Sequence, residues 1–287
     1  MSTAADYKSR VRITWCPGCG DYGVLNALQT ACAELEIERH NLVVVSGIGC
    51  SSDLPHFMNA YGVHTLHGRA VPVAQGIKMA NKALTVVITG GDGDGYGIGV
   101  GHFIHALRRN LDITYIVMDN QIYGLTTGQA SPTSVKCAKT KSTPEGNPEN
   151  ALNPLAMALV GGATFVGRGF SGDPVQLAEV MKRGLAHKGF SLVDVFSPCV
   201  TWNKVNTYAW FRERVFKLEQ EGHDPSNLEA AIRQAMRSDD RLALGVFYEV
   251  DHPTFAEEEP SLQGEPLVKS RIGLTDEEWN SLIEEFL

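Results

Sequence analysis

Three groups of residues in this sequence are of the types that do chemistry. The string GGDGDG at 90–95 sets Asp92 and Asp94 among glycines at the end of a β-branched run. One helix and one strand later the chain delivers Asp119-Asn120, again behind an apolar run. Glycines let backbone approach a ligand closely, and the neighbouring carboxylates are hard oxygen donors. In a doubly wound sheet ligands bind outside the carboxyl ends of strands, so both oxygen sets arrive at one edge. Mg²⁺ takes carboxylates and carbonyls and keeps phosphate oxygens as partners, which makes a magnesium ion with a diphosphate the natural occupant. A dinucleotide fold competes, because GxG patterns recur between Gly91 and Gly101, but a lone GxGxxG is weak evidence.

The third group is sulfur. Cys16 and Cys19 form a CxxC on a Pro-Gly turn, and Cys50 and Cys199 each follow closely on an apolar run. If the sheet is parallel, all four thiols converge near the diphosphate site. Four thiolates suit a tetrahedral zinc or an iron–sulfur cluster. A CxxC alone also suits a thioredoxin-like redox pair, although that motif normally begins a helix in a much smaller domain. Cys32 falls on an apolar helix face and reads as a small buried hydrophobe. Cys137 lies in a long loop without partner spacing and reads as a surface thiol. Arg69 reads equally as a holder of anionic substrate and as the partner of a carboxylate.

The elements that must position these groups follow from periodicity. Helices are expected over 22–35, 71–82, 151–159 and 174–187, with apolar residues at helical spacing, as Leu25, Leu28 and Cys32 show in the first. Strands are expected over 42–46, 84–89, 113–118, 163–166 and 191–196. A helix carrying His102 and His105, read as structural and at a contact between protomers, follows the glycine-rich turn. Residues 126–154 have no period, and a loop of that length is usually functional or mobile. The alternation gives an α/β fold with a doubly wound, mostly parallel sheet. One domain over 1–204 holds the diphosphate and cysteine sites. Residues 205–287 read as a C-terminal extension, charged and helical with one strand-like run at 242–248, that contacts a partner.

The whole chain, 287 residues with a formal net charge of -8, sets limits. That charge argues against nucleic acid or an anionic membrane surface as partner. The opening MSTAADYKSR has no apolar core of a secretory signal, and no window approaches a membrane span. Six cysteines without an export signal point to metal or redox use rather than disulfides. A cytoplasmic enzyme or enzyme subunit is expected.

The GDG turn with its later asparagine resembles the thiamine diphosphate motif, Asp119 standing where that motif has the first of two asparagines. More specifically, WCPGCGDYGVL, GIGCSSDLPHF, HGRAVPVAQGIKMAN and YGLTTGQASPTS resemble the β subunits of two-subunit 2-oxoacid:ferredoxin oxidoreductases. The resemblance implies a diphosphate-binding domain of the thiamine diphosphate type. It implies Mg²⁺ held by Asp92, the Asn120 side chain and the Ile122 carbonyl, with the diphosphate against the backbone of Gly91, Gly93 and Asp94. Ile48, Gly49, Cys50, Ser51, Tyr123, Gly124, Leu125 and Thr126 would line the rest of the cofactor site. His67, beside Gly68, would be catalytic. Cys16, Cys19, Cys50 and Cys199 would hold one [4Fe–4S] cluster. The activity implied is coenzyme A-dependent oxidative decarboxylation of a 2-oxoacid, most closely 2-oxoglutarate to succinyl-CoA, with ferredoxin as acceptor and reversal possible in principle. The pyrimidine domain and the substrate arginine would come from an α subunit in an (αβ)₂ assembly, so this chain alone would be inactive. Asp53 departs from the pattern: family members that accept 2-oxoglutarate often have a basic residue there, so a pyruvate or broad-range enzyme stays open. A cluster-free thiamine decarboxylase leaves the cysteines unexplained, and a zinc-stabilised dinucleotide-binding module is the non-catalytic alternative.

Overall fold

Runs such as LVVVS and ITYIVMD offer solvent no polar face, and both form strands buried along their whole length. In the computed structural model, which describes residues 2–271 and 273–287, α1 (Asp21–Glu34) precedes β1 (Leu42–Ser46), and α2 (Leu54–Phe57), β2 (Tyr61–His64) and α3 (Ala70–Ala80) follow. Next come β3 (Thr85–Gly91), α4 (Val100–Arg109), β4 (Ile113–Asp119), α5 (Pro154–Val160), β5 (Phe165–Phe170), α6 (Pro174–Ala186) and β6 (Phe190–Phe196). The remainder supplies α7 (Tyr208–Arg212), β7 (Val215–Lys217), α8 (Leu228–Ala235), β8 (Leu242–Glu249), α9 (Phe255–Glu258) and α10 (Asp276–Glu284).

The eight strands form one sheet in the order β2-β1-β3-β4-β6-β5-β8-β7. All neighbours are parallel except β5 and β8. Successive strand residues face opposite sides, and each side is covered. Val43, Val45, Ile88 and Val117 pack with α3, α4 and α5, while Val44, Val87, Ile116 and Val195 pack with α1 and α6. The fold is therefore α/β and doubly wound.

Three details depart from the sequence reading. β2 lies in a stretch expected to be loop; it is a short, largely exposed edge strand, so it carries no apolar alternation to read. β5 continues beyond residue 166 through Gly167 and Gly169, which look like turn residues. They are glycines because α6 packs directly on them: a Cβ on Gly167 would stand 2.7 Å from Val180. The sheet also does not stop at residue 204, since β7 and β8 complete its far edge.

Candidate active site

From β1 the chain runs out to β2 on one side and then returns to add β3 on the other. The carboxyl ends of β1 and β3 are thus the point where strand order reverses, the place where open α/β sheets bind ligands. The Gly47–Ser52 turn, the glycine-rich turn, the loop after β4 and the Ser197–Cys199 segment after β6 all open onto this edge.

Asp94 organises the first part. Its carboxylate is buried, and Oδ1 accepts from the Ile48 amide at 3.0 Å and the Gly68 amide at 2.7 Å. His67 Nδ1 lies 2.6 Å from the same oxygen. A Cβ on Gly47 would overlap this carboxylate, so only glycine lets the β1 turn close over it. Asp94 sits in a π-helical turn, Gly93–Ile98, that precedes α4. The turn is tied to β6 by the Tyr96 hydroxyl, which donates to buried Asp194 at 2.9 Å, and Asp194 also accepts from Arg168 at 2.8 Å. His67 is held by one ring nitrogen with its ring edge-on to Tyr123.

Asp92 and Asp119 form the second part. Both are buried, and both face the Thr133 hydroxyl, at 2.6 and 2.7 Å. One hydroxyl has one proton, so only one carboxylate receives it. Burial pushes Asp92 up to about 6 and Asp119 well above the ordinary carboxylate range. Asn120 Oδ1 accepts the Ile122 amide at 3.1 Å, folding the loop after β4 back on itself. These are oxygen donors around two buried carboxylates, a set that fits a hard divalent cation.

Every residue expected to bind the cofactor, Gly68 excepted, lines one cavity of about 140 Å³. Gly68 stands outside the lining and donates its amide to Asp94. Its φ of +68° and a would-be Cβ 2.6 Å from the Gly99 nitrogen require glycine there.

A second cavity, of about 220 Å³, is lined by Cys16, Cys19, Cys50 and Cys199 together with Asp21, Asp53, Trp15 and Trp202. The two cavities share Cys50, Asn120, Gly124 and Leu125 as common wall. The CPGC turn is docked on the end of β6, with the Gly20 amide donating to the Pro198 carbonyl at 3.1 Å. The Trp15 indole N–H donates to the Cys50 carbonyl at 2.7 Å and ties that turn to the end of β1. Burial pushes the Cys50 thiol up to about 11 and Cys19 higher still, Asp21 adding to both. A metal is what would make thiolates of them. Among the described residues no three His, Cys, Asp or Glu side chains stand close enough to grip a single ion. Four thiols lining one cavity are a donor set that fits an iron–sulfur cluster and equally a tetrahedral zinc.

Cys32 is fully buried and Cys137 exposed. Arg69 donates to the His67 carbonyl at 3.0 Å and does not pair with Asp53, whose partner is His56 at 3.9 Å. Thr133 and Asp21 are site residues that the sequence reading does not single out. Thr133 lies in the aperiodic loop, and only its place in the string YGLTTGQASPTS points to the site.

The family described as "Thiamine pyrophosphate enzyme, C-terminal TPP binding domain" matches residues 47–195. The family described as the C-terminal part of the pyruvate ferredoxin oxidoreductase beta chain matches 199–264. The 2-oxoacid:ferredoxin oxidoreductase 1 subunit beta of Aeropyrum pernix is 48% identical over 254 residues, spanning 85% of this chain and 80% of that protein. The 2-oxoglutarate synthase subunit KorB of Methanocaldococcus jannaschii is 36% identical over 90% of this chain and 96% of that protein. Among solved structures, the 2-oxoglutarate:ferredoxin oxidoreductase from Magnetococcus marinus, with 2-oxoglutarate, coenzyme A and succinyl-CoA bound, superposes with a TM-score of 0.92. It is 43% identical, and the match covers 98% of this chain and 96% of that one.

Proposed function

This chain belongs to the β subunits of the 2-oxoacid:ferredoxin oxidoreductases, and we propose that in its holoenzyme it turns 2-oxoglutarate, coenzyme A and oxidised ferredoxin into succinyl-CoA, CO₂ and reduced ferredoxin. The observation that carries this reading is the shared wall of the two cavities, oxygen donors on one side and four cysteines on the other. Thiamine diphosphate supplies the electron sink that decarboxylates a 2-oxoacid, and a [4Fe–4S] cluster accepts single electrons.

The chain's own residues bind and orient. Asp92, Asn120 and the Ile122 carbonyl would hold Mg²⁺, with Thr133 keeping Asp92 and Asp119 in place from behind. Backbone from Gly91 to Asp94 faces the diphosphate. Asp94 fixes His67 through Nδ1, which leaves Nε2 free to hold or deliver a proton toward the cavity. Cys16, Cys19, Cys50 and Cys199 would ligate the cluster.

The cavity of about 140 Å³ is smaller than the roughly 300–1,000 Å³ of complete small-molecule sites. That supports a site completed by the α subunit. The C-terminal segment supports the same partner. On α10, Trp279, Leu282 and Ile283 recur at i, i+3 and i+4, Phe286 follows two residues after the helix ends, and all four are exposed. A helix of nine residues is unstable alone in water, so the stripe needs a cover.

Asp53 favours a second reading, a broader 2-oxoacid range. It lines the cysteine cavity, with His56 Nδ1 at 3.9 Å, and an acid there repels a second substrate carboxylate. The test is turnover of the anaerobic α–β complex with 2-oxoglutarate, pyruvate and 2-oxobutyrate. The proposal expects 2-oxoglutarate to have the highest kcat/KM; equal values support the broader range, and no coenzyme A-dependent ferredoxin reduction with any of them refutes both. Asp53→Arg should shift preference further toward 2-oxoglutarate, and an unchanged ratio would take Asp53 out of the substrate's reach.

A further inference from the structure

The cysteine cavity contains one polar group that ligation does not use. Asp21 opens α1, two residues after Cys19, and its side chain is almost wholly buried in the cavity wall. Oδ1 accepts from the Ser197 hydroxyl at 2.7 Å, and Oδ2 accepts from the Ser51 hydroxyl at 3.2 Å. Ser51 directly follows Cys50, and Ser197 precedes Cys199 by two residues. One carboxylate therefore touches all three chain segments that bring cysteines to the cavity: the start of α1, the turn after β1 and the end of β6. Its partners are the two serine hydroxyls, and no Lys, Arg or His pairs with it among the described residues.

A buried carboxylate without a cation is costly, and here two hydroxyl hydrogen bonds offset part of that cost. Two serines at separate strand ends, each within two residues of a cysteine and each bonded to a different oxygen, form a clip. We propose that Asp21 is a positioning residue of the cysteine site: its two hydrogen bonds lock Cys19, Cys50 and Cys199 in register around the cavity. The clip stands on those hydrogen bonds alone, and what it holds in register, a cluster's ligands, rests on the function proposed above.

Two variants test the clip. Ser51→Ala with Ser197→Ala removes both hydrogen bonds, whereas Asp21→Asn keeps a bond to each serine, its amide oxygen accepting from one hydroxyl and its N–H₂ donating to the other. Measured on the anaerobic α–β complex, the serine pair is expected to release iron to a chelator about tenfold faster, as loss of outer-shell partners does, and Asp21→Asn to stay near the unaltered rate. Unchanged iron release in the serine pair, or release from Asp21→Asn as fast as from the serine pair, overturns the clip. If the unaltered complex binds no iron, the cluster reading fails instead. The clip is then read from alkylation of Cys19, Cys50 and Cys199 in the metal-free protein, which should be several-fold faster in the serine pair; equal rates refute it.

Discussion

Thr133 carries more of the site than its residue type suggests, because its one hydroxyl stands within hydrogen-bond distance of two buried carboxylates. Thr133→Val keeps the volume and leaves both without that partner. The expected cost is about 1–3 kcal/mol in denaturant unfolding, with Thr133→Ser restoring most of it. His187 offers a pH test away from the site. Its Nε2 lies 2.8 Å from the Thr164 hydroxyl, and burial holds its pKa below the ordinary value of 6.5. Protonation thus favours the unfolded chain: the stabilisation is complete above about pH 6.5 and declines as pH falls below it. His187→Gln should flatten stability against pH as pH falls below about 6.5; an unchanged slope would show that another group titrates there. At this scale the sequence announces the residues that sit in motifs, Asp92, Asn120 and the four cysteines. It is silent on Thr133 as a bridge and Asp21 as a clip, because their partners lie on other strands and no spacing along the chain records them.

At the scale of elements, close approach decides what the turns can be. Gly20 lies against the end of β6, where an added Cβ would stand 2.6 Å from the Ser197 carbonyl carbon and 2.8 Å from the Pro198 nitrogen. These are backbone atoms and cannot swing away. Gly20→Ala should lower stability by about 1–3 kcal/mol and displace the CPGC turn, read as a lower Tm and faster alkylation of Cys16 and Cys19. A variant with the original Tm and alkylation rates would mean that the turn is not held on β6. The buried strands β1, β3, β4 and β6 are legible to within about two residues, since burial on both faces demands unbroken apolar runs. β2 is not, because an exposed edge strand has no such demand, and β5 is cut short because glycines needed for helix packing resemble glycines needed for turns.

At the scale of the molecule, this chain is one member of an assembly. Its cofactor cavity is small, and α10 presents an apolar stripe. Removing residues 274–287 should leave the fold intact and weaken association with the α subunit by at least tenfold, measured by native mass spectrometry of the co-expressed pair across dilution. Unchanged association would assign the stripe to another partner. The central claim is that one chain holds thiamine diphosphate and an iron–sulfur cluster across a shared wall. The direct measurement is the iron, acid-labile sulfide and thiamine diphosphate content of the anaerobically purified α–β complex, compared with Cys50→Ala and Asp92→Ala variants. The account predicts iron and sulfide in the ratio of a single [4Fe–4S] cluster per β chain together with thiamine diphosphate. It further predicts cluster loss in Cys50→Ala and cofactor loss in Asp92→Ala. A complex with thiamine diphosphate but no iron, or one in which Cys50→Ala keeps its full iron content, would contradict it.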